Sequence, residues 1–378
     1  MLILAGEASG DQHAAEVVQE LSARQGDIDF WGLGGPALAA QGVRLLAGLD
    51  QLAVMGFAEV VGRIGFFWKL EQHLTRALAE GQADLVLAVD YPGFNLRMAR
   101  RARELGVPVL FYIAPQVWAW KAHRTAHLAR DTDRVAVILP FEAPVLERAG
   151  VRVDFVGHPL KERPPVSVEQ TVQLRQDLGV SDEAPLLALL PGSRAQELAR
   201  HLDVFVEAAR RLQQQWPELV PVLGAAPGVD PALLRATGFA VTQQTRELLH
   251  TARAGIVKSG TSTLEAAVAG CPFVCVYRTS ALTWALARRL VKVPHVALAN
   301  LVAGKRVVPE LLQGAATAEG IAAATAPLLD DGPVRETQRT GLKEITDALG
   351  GPGAAGRTAD LALEILAERV RADEGRGA

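Results

Sequence analysis

Short, uninterrupted apolar runs that stop at Gly, Asp or Pro recur along this chain and alternate with stretches of helical periodicity. In the first 160 residues they are Leu2 to Ala5, Leu85 to Val89, Val109 to Ile113, Val135 to Leu139 and Val153 to Val156. A strand with one face in water alternates apolar and polar residues. A run without alternation needs cover on both faces, which a parallel sheet with helices on each side provides. The fold class is therefore α/β. The pattern pauses at residues 161–170, where Lys-Glu-Arg-Pro-Pro-Val-Ser-Val-Glu-Gln reads as a linker. It restarts with Leu186 to Leu190, Val220 to Leu223, Gly255 to Val257 and Phe273 to Val276. The expected domains are residues 1–163 and 164–345, followed by a helical tail over 346–378. In the tail, Ala359, Leu361, Leu363, Ile365, Leu366 and Val370 among charges predict an amphipathic helix from Thr358 to Val370.

A chain of 378 residues with 49% hydrophobic residues can bury two cores. Its 39 basic and 42 acidic side chains give a net charge of -3, without the basic excess of a nucleic-acid-binding protein. Cys271 and Cys275, the two cysteines, sit inside one apolar run. They exclude a disulfide framework and read as small core residues. The opening Met-Leu-Ile-Leu-Ala-Gly reads as a first strand rather than a signal peptide, and no apolar run reaches the roughly 18 residues that span a bilayer. The expectation is a cytosolic protein.

Several motifs fall where strands end. Gly6-Glu7-Ala8-Ser9-Gly10-Asp11 follows the first strand and opens a helix; it is not GxGxxG, and it reads as a tight turn beside a crevice. Asp90, in Val-Asp-Tyr-Pro-Gly-Phe-Asn, ends another strand and can be either a general base or a helix cap. Trp118 and Trp120 follow a third strand and fill a loop core or stack on a sugar. His123 and His127 have the spacing of metal ligands without a zincin glutamate, so they read as a helix face. In the second half, Leu190-Pro191-Gly192-Ser193-Arg194 and Lys258-Ser259-Gly260-Thr261-Ser262-Thr263 both sit between a strand and a helix. Their hydroxyls, guanidinium and backbone amides suit a diphosphate. Neither contains the Gly-Lys-Ser/Thr of a Walker loop.

Leu52 to Leu74 carries Met55, Phe57, Ile64, Phe66, Phe67 and Trp68 beside Arg63 and Lys69. It reads as a buried helix pair or as a stretch lying in a membrane interface. Trp284 with Arg288, Arg289 and Lys292 poses the same choice. The Asp-x-Asp triplets at Asp27 and Asp131 lie outside the phosphate turns, so no divalent-metal site and no cofactor is expected.

Taken in order, GEASGD (Gly6 to Asp11), LAVMGFAEV (Leu52 to Val60), VDYPGFN (Val89 to Asn95), APQVWAW (Ala114 to Trp120), LPFE (Leu139 to Glu142), GHPL (Gly157 to Leu160), LPGSR, SGTSTLEA (Ser259 to Ala266) and the Asn300 to Gln313 block resemble the lipid-A-disaccharide synthases. The resemblance implies two Rossmann-like domains facing a cleft, the glycosyltransferase-B architecture. It implies an inverting transfer of 2,3-diacylglucosamine from its UDP donor to the 6-hydroxyl of 2,3-diacylglucosamine 1-phosphate, with release of UDP. A peripheral enzyme on the cytoplasmic membrane face, with a suspected homodimer, also follows from it. Leu52 to Leu74 then becomes the expected lipid contact.

The same resemblance assigns Asp90 as the base. It places the UDP-sugar on the second domain at Gly192, Ser193, Arg194, Ser259, Gly260, Thr261, Glu265 and Asn300, with Glu310 and Gln313 beside them. Glu265 would accept the ribose hydroxyls. The acceptor or cleft set in the first domain is Glu7, Ser9, Gly10, Asp11, Met55, Glu59, Asn95, Gln116, Trp118 and His158. One departure is visible: Leu298-Ala299-Asn300-Leu301 stands where the family has Leu-Pro-Asn-Leu. A UDP-N-acetylglucosamine 2-epimerase of the same architecture, or a silent nucleotide-sugar binder, are the alternatives.

Overall fold

A computed structural model of the chain describes residues 1–52, 57–115, 122–281, 283–285 and 294–377, with 57–63, 122–124 and 372–377 described as backbone only. The chain divides into two units, Met1–Glu162 with Gly351–Ala378, and Arg163–Gly350.

The first unit runs β1 (Leu2–Ala5), α1 (Ala8–Arg24), β2 (Trp31–Leu33), α2 (Pro36–Ala40), β3 (Arg44–Ala47), α3 (Leu49–Leu52), α4 (Phe57–Ala79), β4 (Val86–Val89), α5 (Pro92–Glu104), β5 (Val109–Tyr112), α6 (Ala122–Asp131), β6 (Arg134–Val137), α7 (Glu142–Glu147) and β7 (Val153–Phe155). The seven strands form one sheet in the order β3-β2-β1-β4-β5-β6-β7, all neighbours parallel. Because successive strand residues face opposite ways, β1 feeds two cores at once. Ile3 and Ala5 pack with Ala14, Val17, Val18 and Leu21 of α1. Leu2 and Leu4 pack with Leu70 and Leu74 of α4 and with Phe94 and Met98 of α5.

The second unit repeats the plan: α8 (Val168–Leu178), β8 (Leu186–Leu190), α9 (Ala195–Gln215), β9 (Val220–Gly224), α10 (Pro231–Arg235), β10 (Ala240–Thr242), α11 (Thr245–Thr251), β11 (Ala254–Lys258), α12 (Ser262–Val268), β12 (Phe273–Tyr277), α13 (Leu298–Ala303), β13 (Glu310–Leu312), α14 (Ala318–Leu329) and α15 (Pro333–Ala348). Its six strands are parallel in the order β10-β9-β8-β11-β12-β13. Counted within each unit, the second sheet has the order 3-2-1-4-5-6 of a doubly wound nucleotide-binding fold, and the first has the same order with a seventh strand added beside the sixth.

The tail returns to the first unit as α16 (Ala354–Gly377), longer than the expected Thr358 to Val370. Both carboxylate oxygens of Glu162 accept the Gly353 amide, and one also accepts that of Ala354, so the helix starts on a carboxylate cap. Ala355, Ala359, Ala362 and Ile365 then complete the core over α1 and β1. Arg24 bonds the Gly356 carbonyl at 2.7 Å and Asp360 at 2.6 Å, and Arg134 pairs with Glu364 at 2.5 Å. Cys271 and Cys275 are free and buried, and burial pushes the Cys271 thiol up to about 12. Among the described residues no helix is long and apolar enough to cross a membrane.

Candidate active site

In an open parallel sheet the chain leaves strands on opposite sides where the strand order reverses, and a crevice opens outside their carboxyl ends. That point lies between β1 and β4 in the first unit and between β8 and β11 in the second. GEASGD and Asp90 follow β1 and β4; LPGSR and KSGTS follow β8 and β11.

At the first switch point the backbone is strained. Asp90 and Tyr91 have φ of 48° and 47°, and Ile113, just beyond β5, has φ of 62°. Left-handed backbone at non-glycine residues costs energy and persists only where surroundings hold it. Asn95 does the holding: its buried amide donates to the carbonyls of Leu4 at 3.0 Å, Val89 at 3.3 Å and Asp90 at 2.7 Å. Tyr91 is fixed from its other end, where its hydroxyl donates to Leu52 O at 3.1 Å. Burial, then the charge of Glu7, pushes the Asp90 carboxyl up to about 6, against the Tyr91 amide and His13. A carboxylate so tuned is mostly ionised at neutral pH yet basic enough to take a proton.

Glu7 and Ser9 are exposed at the start of α1, and Gly10 is buried there. His158 caps a short 3-10 turn, its Nδ1 accepting from the Leu160 amide at 3.1 Å. Burial and His13 lower its pKa to about 4, which keeps it neutral at neutral pH. His13, which the motifs did not single out, is thus within electrostatic reach of both Asp90 and His158. Its position on the helix after GEASGD was the available signal.

Asp11 bonds the turn that opens α2. One carboxylate oxygen accepts the amides of Gly35 at 2.7 Å and Leu38 at 3.2 Å, and the other accepts Ala37 at 2.9 Å. It is 2% exposed and anchors the start of α2, so it shapes the crevice wall from behind. Met55, Gln116 and Trp118 lie outside the described residues, as does Trp120; Glu59, on α4, is described as backbone only. The Asp131-Thr132-Asp133 triplet is taken up structurally. Asp131 pairs with Arg130, and Asp133 pairs with Arg103 and accepts the Val109 amide.

At the second switch point a single carboxylate links the two turns. Glu197, on α9, accepts the Ser193 amide at 3.0 Å with one oxygen and Lys258 Nζ at 2.6 Å with the other. Burial is the largest single influence and opposes the charge of Glu197, but the Lys258 bond, the Ser193 amide and the charges of Lys258 and Arg194 together hold the carboxyl below the ordinary range. Gly192 and Gly260, with φ of 131° and 150°, take backbone that a side chain would strain, and a Cβ on Gly192 would lie 2.6 Å from that of Glu197. Ser259 is buried and donates to Val296 O at 2.8 Å, whereas Ser193, Arg194 and Thr261 are exposed. Arg194 forms no ion pair among the described residues. Glu265, in the first turn of α12, has its pKa raised by burial, against Arg163 and a bond from Ser262.

Asn300 is tied into its own loop. It is fully buried; its amide nitrogen donates to Val308 O and Glu310, and its oxygen accepts the amides of Val307 and Val308. All four of its hydrogen-bonding capacities are filled within the protein. Glu310 is likewise committed, accepting the amides of Val296 and Ala297. Ala299, in place of the family proline, retains an N-H that reaches Thr263 Oγ1 at 3.4 Å. Gln313 has φ of 50° and accepts the Thr279 amide at 3.3 Å.

Comparison with known proteins gives this geometry a context. The model of the lipid-A-disaccharide synthetase family matches residues 1–361. The lipid-A-disaccharide synthase of Myxococcus xanthus is 44% identical over 373 residues, 97% of each chain. That of Geobacter sulfurreducens is 39% identical over 377 residues, 98% of each. Among solved structures, the calicheamicin glycosyltransferase CalG4 has a TM-score of 0.58 at 18% identity, covering 97% of this chain and 98% of its own. A UDP-GlcNAc 2-epimerase from Neisseria meningitidis has a TM-score of 0.61 at 13% identity, covering 97% and 99%. At such identities these two structures speak for the shared architecture, two Rossmann-like domains of the glycosyltransferase-B type, and not for an activity. The family match and the two synthases extend over nearly the whole chain, so the chain belongs to the family of lipid-A-disaccharide synthases, which are glycosyltransferases.

Proposed function

We propose that the chain transfers 2,3-diacylglucosamine from its UDP donor to the 6-hydroxyl of 2,3-diacylglucosamine 1-phosphate, with inversion. The acceptor oxygen attacks the anomeric carbon, the bond from that carbon to the diphosphate oxygen breaks, and UDP leaves. The hydroxyl proton passes to Asp90. The observation that carries this reading is the Asp90 carboxyl itself, at the β1–β4 switch point, on strained backbone and raised to about 6.

The leaving diphosphate accumulates negative charge. Arg194 and the polar groups of the Ser193 and Ser259 to Thr261 turns are the donors that suit it, and they lie at the β8–β11 switch point. Glu265 sits one turn further along and suits the ribose hydroxyls. In this scheme Asp11 braces the start of α2 in the first unit, and Asn300 braces the 307–308 loop in the second. Ile64 and Trp68, four apart on α4 and more than half exposed, suit a lipid surface, with Lys69 exposed beside them. Acyl-sugars are reached from such a surface at the cytoplasmic membrane face.

The test is UDP release from UDP-2,3-diacylglucosamine, with and without 2,3-diacylglucosamine 1-phosphate, for the wild type and Asp90→Ala. Acceptor-dependent release that disappears in the variant supports the transfer and its base together. Release without acceptor, or full turnover in the variant, overturns it.

A further inference from the structure

The amino ends of β8, β11 and β12 lie at the opposite edge of the second sheet from the diphosphate turns. There the ends of α11 and α12 and one side of α15 line an open cavity of about 620 Å³. Arg335, Arg339 and Lys343 line it. Spaced by four on α15, they form one stripe of cations. Glu336 is the one acidic residue in the lining.

The three cations are not equivalent. Arg339 and Lys343 are exposed and have acids on their own helix, Glu336 at 3.5 Å and Asp347 at 2.7 Å. Arg335 is 7% exposed. Its Nη1 donates only to the backbone carbonyls of Arg253 and Leu328. Its Nε is buried without an acceptor, and among the described residues no carboxylate forms an ion pair with it. Burial, with Arg253 and Arg339 nearby, lowers its pKa. An unpaired buried guanidinium is costly unless something anionic completes it. Arg335 also lines the cavity, where a guanidinium that meets no carboxylate among the described residues suits a phosphate oxygen. A neighbouring cavity of about 570 Å³ shares Arg335 and adds Arg175 and Arg253 together with Glu183 and Glu218.

We infer that the cavity over Arg335, Arg339 and Lys343 binds the phosphate group of a small anion, at a site separate from the diphosphate turns. A ligand there touches the last turn of α12, whose first turn carries Glu265. Thr346 on α15 already bonds that last turn, at Ala267 O, 3.0 Å away.

The experiment is a titration of the full chain with inorganic phosphate at constant ionic strength, followed by calorimetry and by ³¹P line broadening, with chloride as the control anion. Wild type, Arg335→Gln, the double variant Arg339→Gln/Lys343→Gln and Arg194→Gln are compared. Saturable binding, weakened at least tenfold in Arg335→Gln and several-fold in the double variant but retained in Arg194→Gln, is expected. Should Arg335→Gln not fold, the double variant decides, because it keeps Arg335. No saturable binding in the wild type, or undiminished binding in the double variant, overturns the inference. Loss in Arg194→Gln also overturns it, since the ion would then sit on the diphosphate turns.

Discussion

Glu197 joins the two turns of the second switch point: Lys258 Nζ lies 2.6 Å from one of its oxygens, and the Ser193 amide lies 3.0 Å from the other. The carboxylate thereby occupies the Ser193 amide, one of the backbone donors of that turn. Lys258→Met leaves that carboxylate half-buried and unpaired. It should cost roughly 1–3 kcal/mol of stability, visible in urea denaturation, and weaken UDP binding about tenfold in calorimetry.

Asp90→Asn should lower kcat by about 10²- to 10⁴-fold with little change in UDP affinity. In the wild type, kcat/KM should rise with pH through about 6 as the base ionises, and the variant's residual rate should lack that step. A variant whose residual rate keeps the step near 6 would remove Asp90 from the role.

The same group links stability to pH. Its folded pKa lies above the ordinary value of 3.8, so the folded state holds the proton more tightly. Its contribution is present in full below about pH 4 and is lost as pH rises through about 6. Asp90→Asn should therefore gain on the wild type, by on the order of 2 kcal/mol, between pH 4 and pH 8. Paired denaturation curves at the two pH values measure it.

Asp11→Ala leaves three amides of the α2 turn without their acceptor. A loss of about 1–3 kcal/mol is expected, with kcat per folded molecule close to normal. A large fall in kcat at unchanged stability would return Asp11 to the reacting groups.

Glu265→Ala should raise the Kd for UDP by about 10- to 100-fold, the worth of hydrogen bonds to a charged group. Its Kd for uracil alone should not move. Equal effects on both would mean that the carboxylate supports the α12 turn rather than the ribose.

What the sequence made legible follows from burial. Strands covered on both faces, such as β1, β4, β5, β8, β11 and β12, are continuous apolar runs and stand out. Four strands gave no such signal. Gly32 interrupts β2, and a side chain there would strike the Ile3 carbonyl. The others, β3, β10 and β13, are edge strands of three or four residues with partly exposed positions. Motif positions at strand ends were readable because a parallel sheet puts its ligands there. Which polar residue faces a ligand and which braces a wall was not readable. Asp11 and Asn300 are polar motif residues in one dimension, and only the folded chain shows their backbone partners, 24 and 8 residues away.

The return of α16 to the first unit also bears on how the molecule is made. The face of β1 that carries Ile3 and Ala5 is closed by Ala355, Ala359 and Ile365, translated some 350 residues later. During synthesis the first unit emerges with that face incompletely covered, while the whole second unit follows it off the ribosome. The second unit contains all of its own strands and helices in one continuous stretch and can complete its core first. Order of assembly is then the reverse of order of translation, and a chain that stops before Ala354 would expose the oldest part of its core.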